Sequence, residues 1–225
     1  MIAMAKVEGK AGRSQRALSE FEGAALLSDF GIPTVGGVLV RDVEEAKRAA
    51  LEIGYPVVLK ICSAEVSHKT EGGLVAVDLR TEADLARAFE RIAKASPVKG
   101  APLLVQEMIK GGRELVMGMI RDSQFGPCVM FGLGGIFTEI LGDVTFRPAP
   151  LSETDAREML QEIKGSKILG AVRGMPAVDQ DALIRCLIAV GRIGLERNDI
   201  QAIDVNPLII RDNKPVAVDA LVILG

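Results

Sequence analysis

Tryptophan is absent from this sequence, tyrosine occurs once and phenylalanine seven times. So few stacking rings, with a net charge of −3 and basic residues scattered along the chain, argue against a nucleic-acid-binding protein. Cysteine is scarce too. Cys62, Cys128 and Cys186 are odd in number, widely spaced and set among apolar neighbours. That pattern excludes a disulfide framework or a cysteine metal site and predicts buried thiols in a reducing cytosol. No apolar run approaches the roughly 20 residues a membrane-spanning helix needs. Residues 1–16 carry Lys6, Lys10, Arg13 and Arg16 without a long apolar stretch, and read as a loose extension, not a secretory signal. No G-x-x-x-x-G-K-[ST] occurs, which excludes a P-loop. Gly132-Leu133-Gly134-Gly135 fails the dinucleotide fingerprint because Phe137 stands where the third glycine belongs.

Histidine occurs once, at position 68, within Ser67-His68-Lys69-Thr70-Glu71-Gly72-Gly73. An apolar run, Val57 to Cys62, precedes this polar stretch and another, Leu74 to Val77, follows it, so His68 is expected in a loop between two strands. Imidazole is the side chain whose neutral, nucleophilic form coexists with its cation near neutrality. The alternative is a plain loop histidine.

The rest of the chain interleaves strands and helices, which predicts an α/β (α+β) fold. Helices are expected at 19–30, 43–53, 81–95, 152–163 and 179–194, with Ser19 and Thr81 as N-caps. Strands are expected at 35–40, 57–62, 74–79, 103–108, 114–121 and 127–131, and a closing hairpin at 203–210 and 215–223. Pro97 to Pro102 marks a boundary between an N-terminal lobe at 17–100 and a C-terminal lobe at 101–225.

The hairpin carries the clearest chemistry. Asp204 and Asn206 are two apart on a strand and share a face. A two- or four-residue turn within Arg211 to Lys214 sets Asn206 opposite Asp219. Two acids and an amide with only oxygen donors suit Mg²⁺, completed by waters and phosphate oxygens; a polar face turned to solvent is the alternative. Lys60 interrupts the apolar strand Val57 to Cys62, and if buried it needs an anionic partner such as a phosphate; the competing reading is a lysine reaching out from an edge strand. Gln106-Glu107-Met108-Ile109 ends a strand and runs into Lys110-Gly111-Gly112, leaving free backbone groups beside an apolar surface that suits a purine. Gly132 to Gly135 offers backbone N–H groups to phosphates, or serves as a structural turn.

Taken together, Leu18 to Glu22, Val57 to Gly73, Val105 to Gly118, Phe125 to Phe146, Ile203 to Pro207 and Val218 to Ala220 make the chain resemble the ATP-grasp domain of the ADP-forming acyl-CoA synthetases, and in particular the β subunits of the acetate branch. The resemblance covers roughly residues 17 to 222. It implies two lobes with the nucleotide site between them, ATP/ADP and Mg²⁺ as cofactors, and phosphoryl transfer between ADP and a phosphorylated His68. It further implies that Lys60 meets the nucleotide phosphates, that Glu107, Met108 and Ile109 hold adenine, and that Glu114 reaches the ribose. Asn206 and Asp219 would hold the metal with Asp204 in support, while Gly134, Gly135 and Arg147 would be further phosphate contacts. A phosphohistidine is a phosphoramidate, energetic enough to phosphorylate ADP; Gly72-Gly73 gives its loop backbone freedom to carry His68 between two sites. A CoA-binding fingerprint and a second histidine are missing, so the resemblance implies a separate CoA-binding α subunit carrying that histidine, in an α2β2 assembly. A carboxylate–amine ligase working alone and a regulatory nucleotide-binding module are the competing readings.

Overall fold

The computed structural model describes residues 16–66, 72–135 and 142–225. The expected N-terminal extension, apart from Arg16, and His68 itself lie outside them. In chain order the elements are β1 (Arg16–Ala17), α1 (Glu20–Asp29), β2 (Gly37–Val40), α2 (Val43–Ile53), β3 (Val57–Ile61), β4 (Val75–Leu79), α3 (Glu82–Ala95), β5 (Leu103–Glu107), β6 (Glu114–Asp122), β7 (Gly126–Leu133), β8 (Val144–Pro148), α4 (Glu153–Glu162), α5 (Gln180–Glu196), β9 (Ile200–Arg211), β10 (Lys214–Ala217) and β11 (Ala220–Leu224). A single 3₁₀ turn, Ser166–Leu169, separates α4 from α5.

The helices start where the sequence supplies caps. Ser19 and Glu22 close a reciprocal pair ahead of α1, with the Ser19 N–H donating to Glu22 at 2.8 Å and the Glu22 N–H donating to the Ser19 hydroxyl at 3.4 Å. Thr81 accepts from the Asp84 N–H at 3.1 Å, and Ser152 and Asp155 form a full capping box. Acids fill the first turns of α2, α3 and α4, where the helix dipole favours them.

Contacts divide the chain into two units: 17–22 with 35–109, and 23–34 with 110–225. The first contains a four-stranded sheet in the order β2-β5-β3-β4, antiparallel throughout. Helices α2 and α3 bury their apolar faces on it, in a core that includes Leu59, Ile61, Leu85, Ile92 and Val105. The second contains the larger sheet, β11-β9-β6-β7-β8 with β10 folded back on β9. There Arg121 caps the end of α5: its guanidinium donates to the carbonyls of Ile200, Gly194 and Arg197 at 3.0, 2.7 and 3.1 Å.

Two differences from the sequence reading have simple causes. The division by contacts falls after Ile109 and not at Pro97–Pro102, because β5 pairs with β2 and β3 of the smaller sheet. A strand at Val144–Pro148 also appears, paired to β7 along its length. Its sequence, Val144-Thr145-Phe146-Arg147-Pro148, ends on a proline, which weakens a strand reading.

Candidate functional site

In the first unit Lys60 lies on β3, between β5 and β4, opposite Leu104 and Val75. This is an interior strand, so the lysine does not reach out from an edge. Its ammonium meets the carboxylate of Glu20 in the first turn of α1, and the two side chains are only 6% and 1% exposed. Sequence reasoning does not single out Glu20 as the partner of Lys60. An acid in a first helical turn already has an explanation in the helix dipole, which hides its second role.

Three expected purine contacts follow at the end of β5. Glu107 pairs with Val57 in register and is exposed. The Met108 N–H donates to the carbonyl of Pro56 at 3.3 Å, and Ile109 is buried. The strand end thus runs from an exposed carboxylate at Glu107 to a buried aliphatic side chain at Ile109.

In the second unit the structure brings Glu114 together with the glycine turn. Glu114 opens β6, and its carbonyl accepts from the Gly134 N–H at 2.8 Å. Gly135 has φ +63, and a Cβ there would lie 2.9 Å from Glu114 Oε2. Glycine is thus what lets the carboxylate lie against the turn.

The hairpin forms with the expected register. Arg211 pairs with Lys214 across a two-residue turn, Asp212-Asn213, both with positive φ as a type I′ turn requires. Ala217 faces Leu208 and Ala220 faces Val205. Between these pairs lie Asn206 and Asp219, where the Val218 N–H donates to the Pro207 carbonyl at 3.1 Å. Against β6, strand β9 carries one extra residue at this place: Met117 faces Val205 but Leu115 faces Leu208. The bulge accommodates Pro207, which has no N–H for the ladder, and such bulges re-aim side chains near functional sites.

Asp204 faces Gly118 on β6 and Leu221 on β11. A Cβ at position 118 would lie 2.3 Å from the Ile203 carbonyl oxygen, so Gly118 is what permits β6 to lie this close to β9 at Asp204. A glycine in mid-strand is the sequence signal for such an approach. Burial pushes the Asp204 carboxyl above the ordinary carboxylate range, and the charge of Asp219 pushes it further. No group of three or more His, Cys, Asp or Glu converges among the described residues. Two carboxylates and an amide fall below that count, yet they fit a hard divalent cation, and a cation would relieve the repulsion that Asp204 registers.

Arg147 lies on the edge strand β8 and is engaged by α4: its guanidinium pairs with Glu162 and lies 3.9 Å from Glu158. Glu162 also accepts from the Thr145 hydroxyl at 2.8 Å. Among the described residues, then, the cation in the first unit is neutralised by a carboxylate, the acids of the second gather at one bulge, and Arg147 is held by a neighbouring helix.

A family model for the ATP-grasp domain matches residues 10–224. The chain belongs to the ATP-grasp family. This ATP-grasp chain is 42% identical over 220 residues to the β subunit of acetate–CoA ligase (ADP-forming) I of Pyrococcus furiosus, a match covering 96% of this chain and 95% of the relative. It is 40% identical to acetate–CoA ligase (ADP-forming) I of Archaeoglobus fulgidus, where 91% of this chain matches 30% of a longer protein. Among solved structures it superposes with a TM-score of 0.82 at 43% identity on acetyl-coenzyme A synthetase 1 of Ca. Korarchaeum cryptofilum, over 100% of this chain and 98% of that one. That structure is described as a complex with coenzyme A and Mg-AMPPCP whose phosphohistidine segment points towards the nucleotide-binding site. No helix among the described residues is long and apolar enough to cross a membrane.

Proposed function

We propose that this chain is the nucleotide-binding β subunit of an ADP-forming acyl–CoA ligase, an acid–thiol ligase, and that it moves a phosphoryl group reversibly between His68 and ADP. The observation that carries the reading is the match over nearly the whole chain to a relative that is itself a β subunit of such a ligase. The donor types agree: a buried lysine for phosphates, an apolar strand end for a purine, a carboxylate beside a glycine turn, and two acids with an amide at one bulge.

In the ATP-forming direction the N–P bond of phospho-His68 breaks and a terminal oxygen of ADP forms the new O–P bond, leaving imidazole neutral. The transferring phosphoryl group is loosely bonded, so what the protein supplies is alignment and charge. Lys60 holds the phosphates, Glu107 with Met108 and Ile109 seats adenine, Glu114 takes the ribose hydroxyls, and Gly135 turns its backbone N–H to the phosphates, whereas the expected Gly134 N–H is already bonded to the Glu114 carbonyl. Arg147, paired with Glu162 on the neighbouring helix, would be a further phosphate contact. Asn206, Asp219 and Asp204 would hold Mg²⁺, which supplies charge neutralisation when bound.

The acyl and CoA chemistry belongs in this reading to an α subunit carrying the second phosphohistidine, in an α2β2 complex. The single-chain relative, where this length accounts for 30% of the protein, supports a shared activity. The buried thiols Cys62 and Cys186 suit a reducing cytosol. The test is acetyl-CoA-dependent ATP formation from phosphate and ADP, with CoA and acetate released. The lone chain is expected to be inactive and to gain turnover with a CoA-binding partner; robust turnover by the lone chain would refute the division of labour.

A further inference from the structure

The Lys60–Glu20 contact differs in kind from surface pairs such as Arg80–Asp78, whose side chains remain exposed. A buried ammonium is tolerated only beside a compensating charge, and here that charge is built into the protein. We infer that Glu20 is a positioning residue for phosphoryl transfer that acts through Lys60. The inference rests on the nucleotide-binding function proposed above and assigns to Glu20 a role the donor set alone does not require.

Both partners have fixed backbones. Lys60 is clamped between two strands, and Glu20 opens a helix whose entry is closed by Ser19 and Glu22. The ammonium is thereby held in one place before any nucleotide arrives. The carboxylate also offsets part of the attraction between Lys60 and phosphate in the ground state, whichever nucleotide is bound. Its contribution therefore belongs to alignment as charge shifts along the transferring phosphoryl group and not to tighter binding. The protein kinases use the same logic, a strand lysine held by a helix glutamate.

The test is the initial rate at which labelled phosphate passes from ATP to the full-length chain in the presence of Mg²⁺. It is measured at limiting and saturating ATP for the wild type, Glu20→Gln, Glu20→Asp, Lys60→Met and the double variant. Thermal unfolding of each variant sets a temperature at which all are folded. Glu20→Gln is expected to lower the saturating rate by about 10- to 100-fold, the cost of misplacing an aligned group by about an ångström, without raising the half-saturating ATP concentration. Glu20→Asp, which keeps the charge on a shorter arm, is expected to recover part of that loss; it carries the same test should Glu20→Gln fail to fold. The double variant is expected to match Lys60→Met, since a residue acting only through Lys60 has nothing left to lose. A wild-type rate in Glu20→Gln, a rise in half-saturation with the saturating rate unchanged, or losses that simply add would overturn the inference while leaving the nucleotide function intact. An unlabelled wild type would overturn both.

Discussion

The two units treat buried charge in opposite ways. In the first, Lys60 and Glu20 cancel each other within the protein, and each holds the other in place. In the second, Asp204 and Asp219 carry the same sign, and burial, with the charge of Asp219 adding to it, raises the Asp204 carboxyl above its ordinary range. One arrangement is complete before a ligand arrives; the other is relieved by a cation. Under the function proposed above, the difference would suit two tasks, a lysine aligned in advance for phosphate and a metal site that fills and empties with the nucleotide.

The largest expected effect comes from breaking the completed pair. Lys60→Met alone should cost about 3–5 kcal/mol in urea unfolding, because it strands a buried carboxylate, while pairing it with Glu20→Gln should return much of that. A small loss in the single variant would mean that the pair is less desolvated than its burial indicates. On the other side of the comparison, Mg²⁺ at 100 times its dissociation constant should stabilise the wild-type chain by about 2.7 kcal/mol. Asp219→Asn should abolish most of that gain, read as the shift in melting temperature on adding Mg²⁺. An equal shift in both proteins would place the metal elsewhere.

These contrasts were unequally legible in the sequence. The closing hairpin could be read because its turn residues and alternating apolar positions fix a register, and a register fixes which side chains face one another. The bulge at Asn206-Pro207 is a matter of one strand gaining a residue relative to β6, which no pattern within β9 records except the proline itself. Glu20 was hidden for a different reason. Its partner is remote in sequence, and its place in a first helical turn is sufficiently explained by local electrostatics. The lobe boundary followed the Pro97 to Pro102 segment in sequence, whereas β5 goes where its hydrogen bonds are, with β2 and β3.

The smallest effect concerns a pair that belongs to neither group. Hydrogen bonding to Arg147, then to Thr145, holds the Glu162 carboxyl below its ordinary range. Such a group stabilises the fold above the unfolded carboxylate range and loses that contribution as pH falls through its folded value. Glu162→Gln should therefore leave the melting temperature slightly lower at neutral pH and close the gap to the wild type in acid. A gap that widens in acid would contradict the assignment.

The account turns on His68 accepting a phosphoryl group from the nucleotide held by these residues. Incubating the chain with γ-labelled ATP and Mg²⁺, then testing the protein-bound label in acid and in base, measures this directly. The expected result is a label that is acid-labile, base-stable and absent from His68→Ala. Label that persists in His68→Ala, or survives acid, would contradict it.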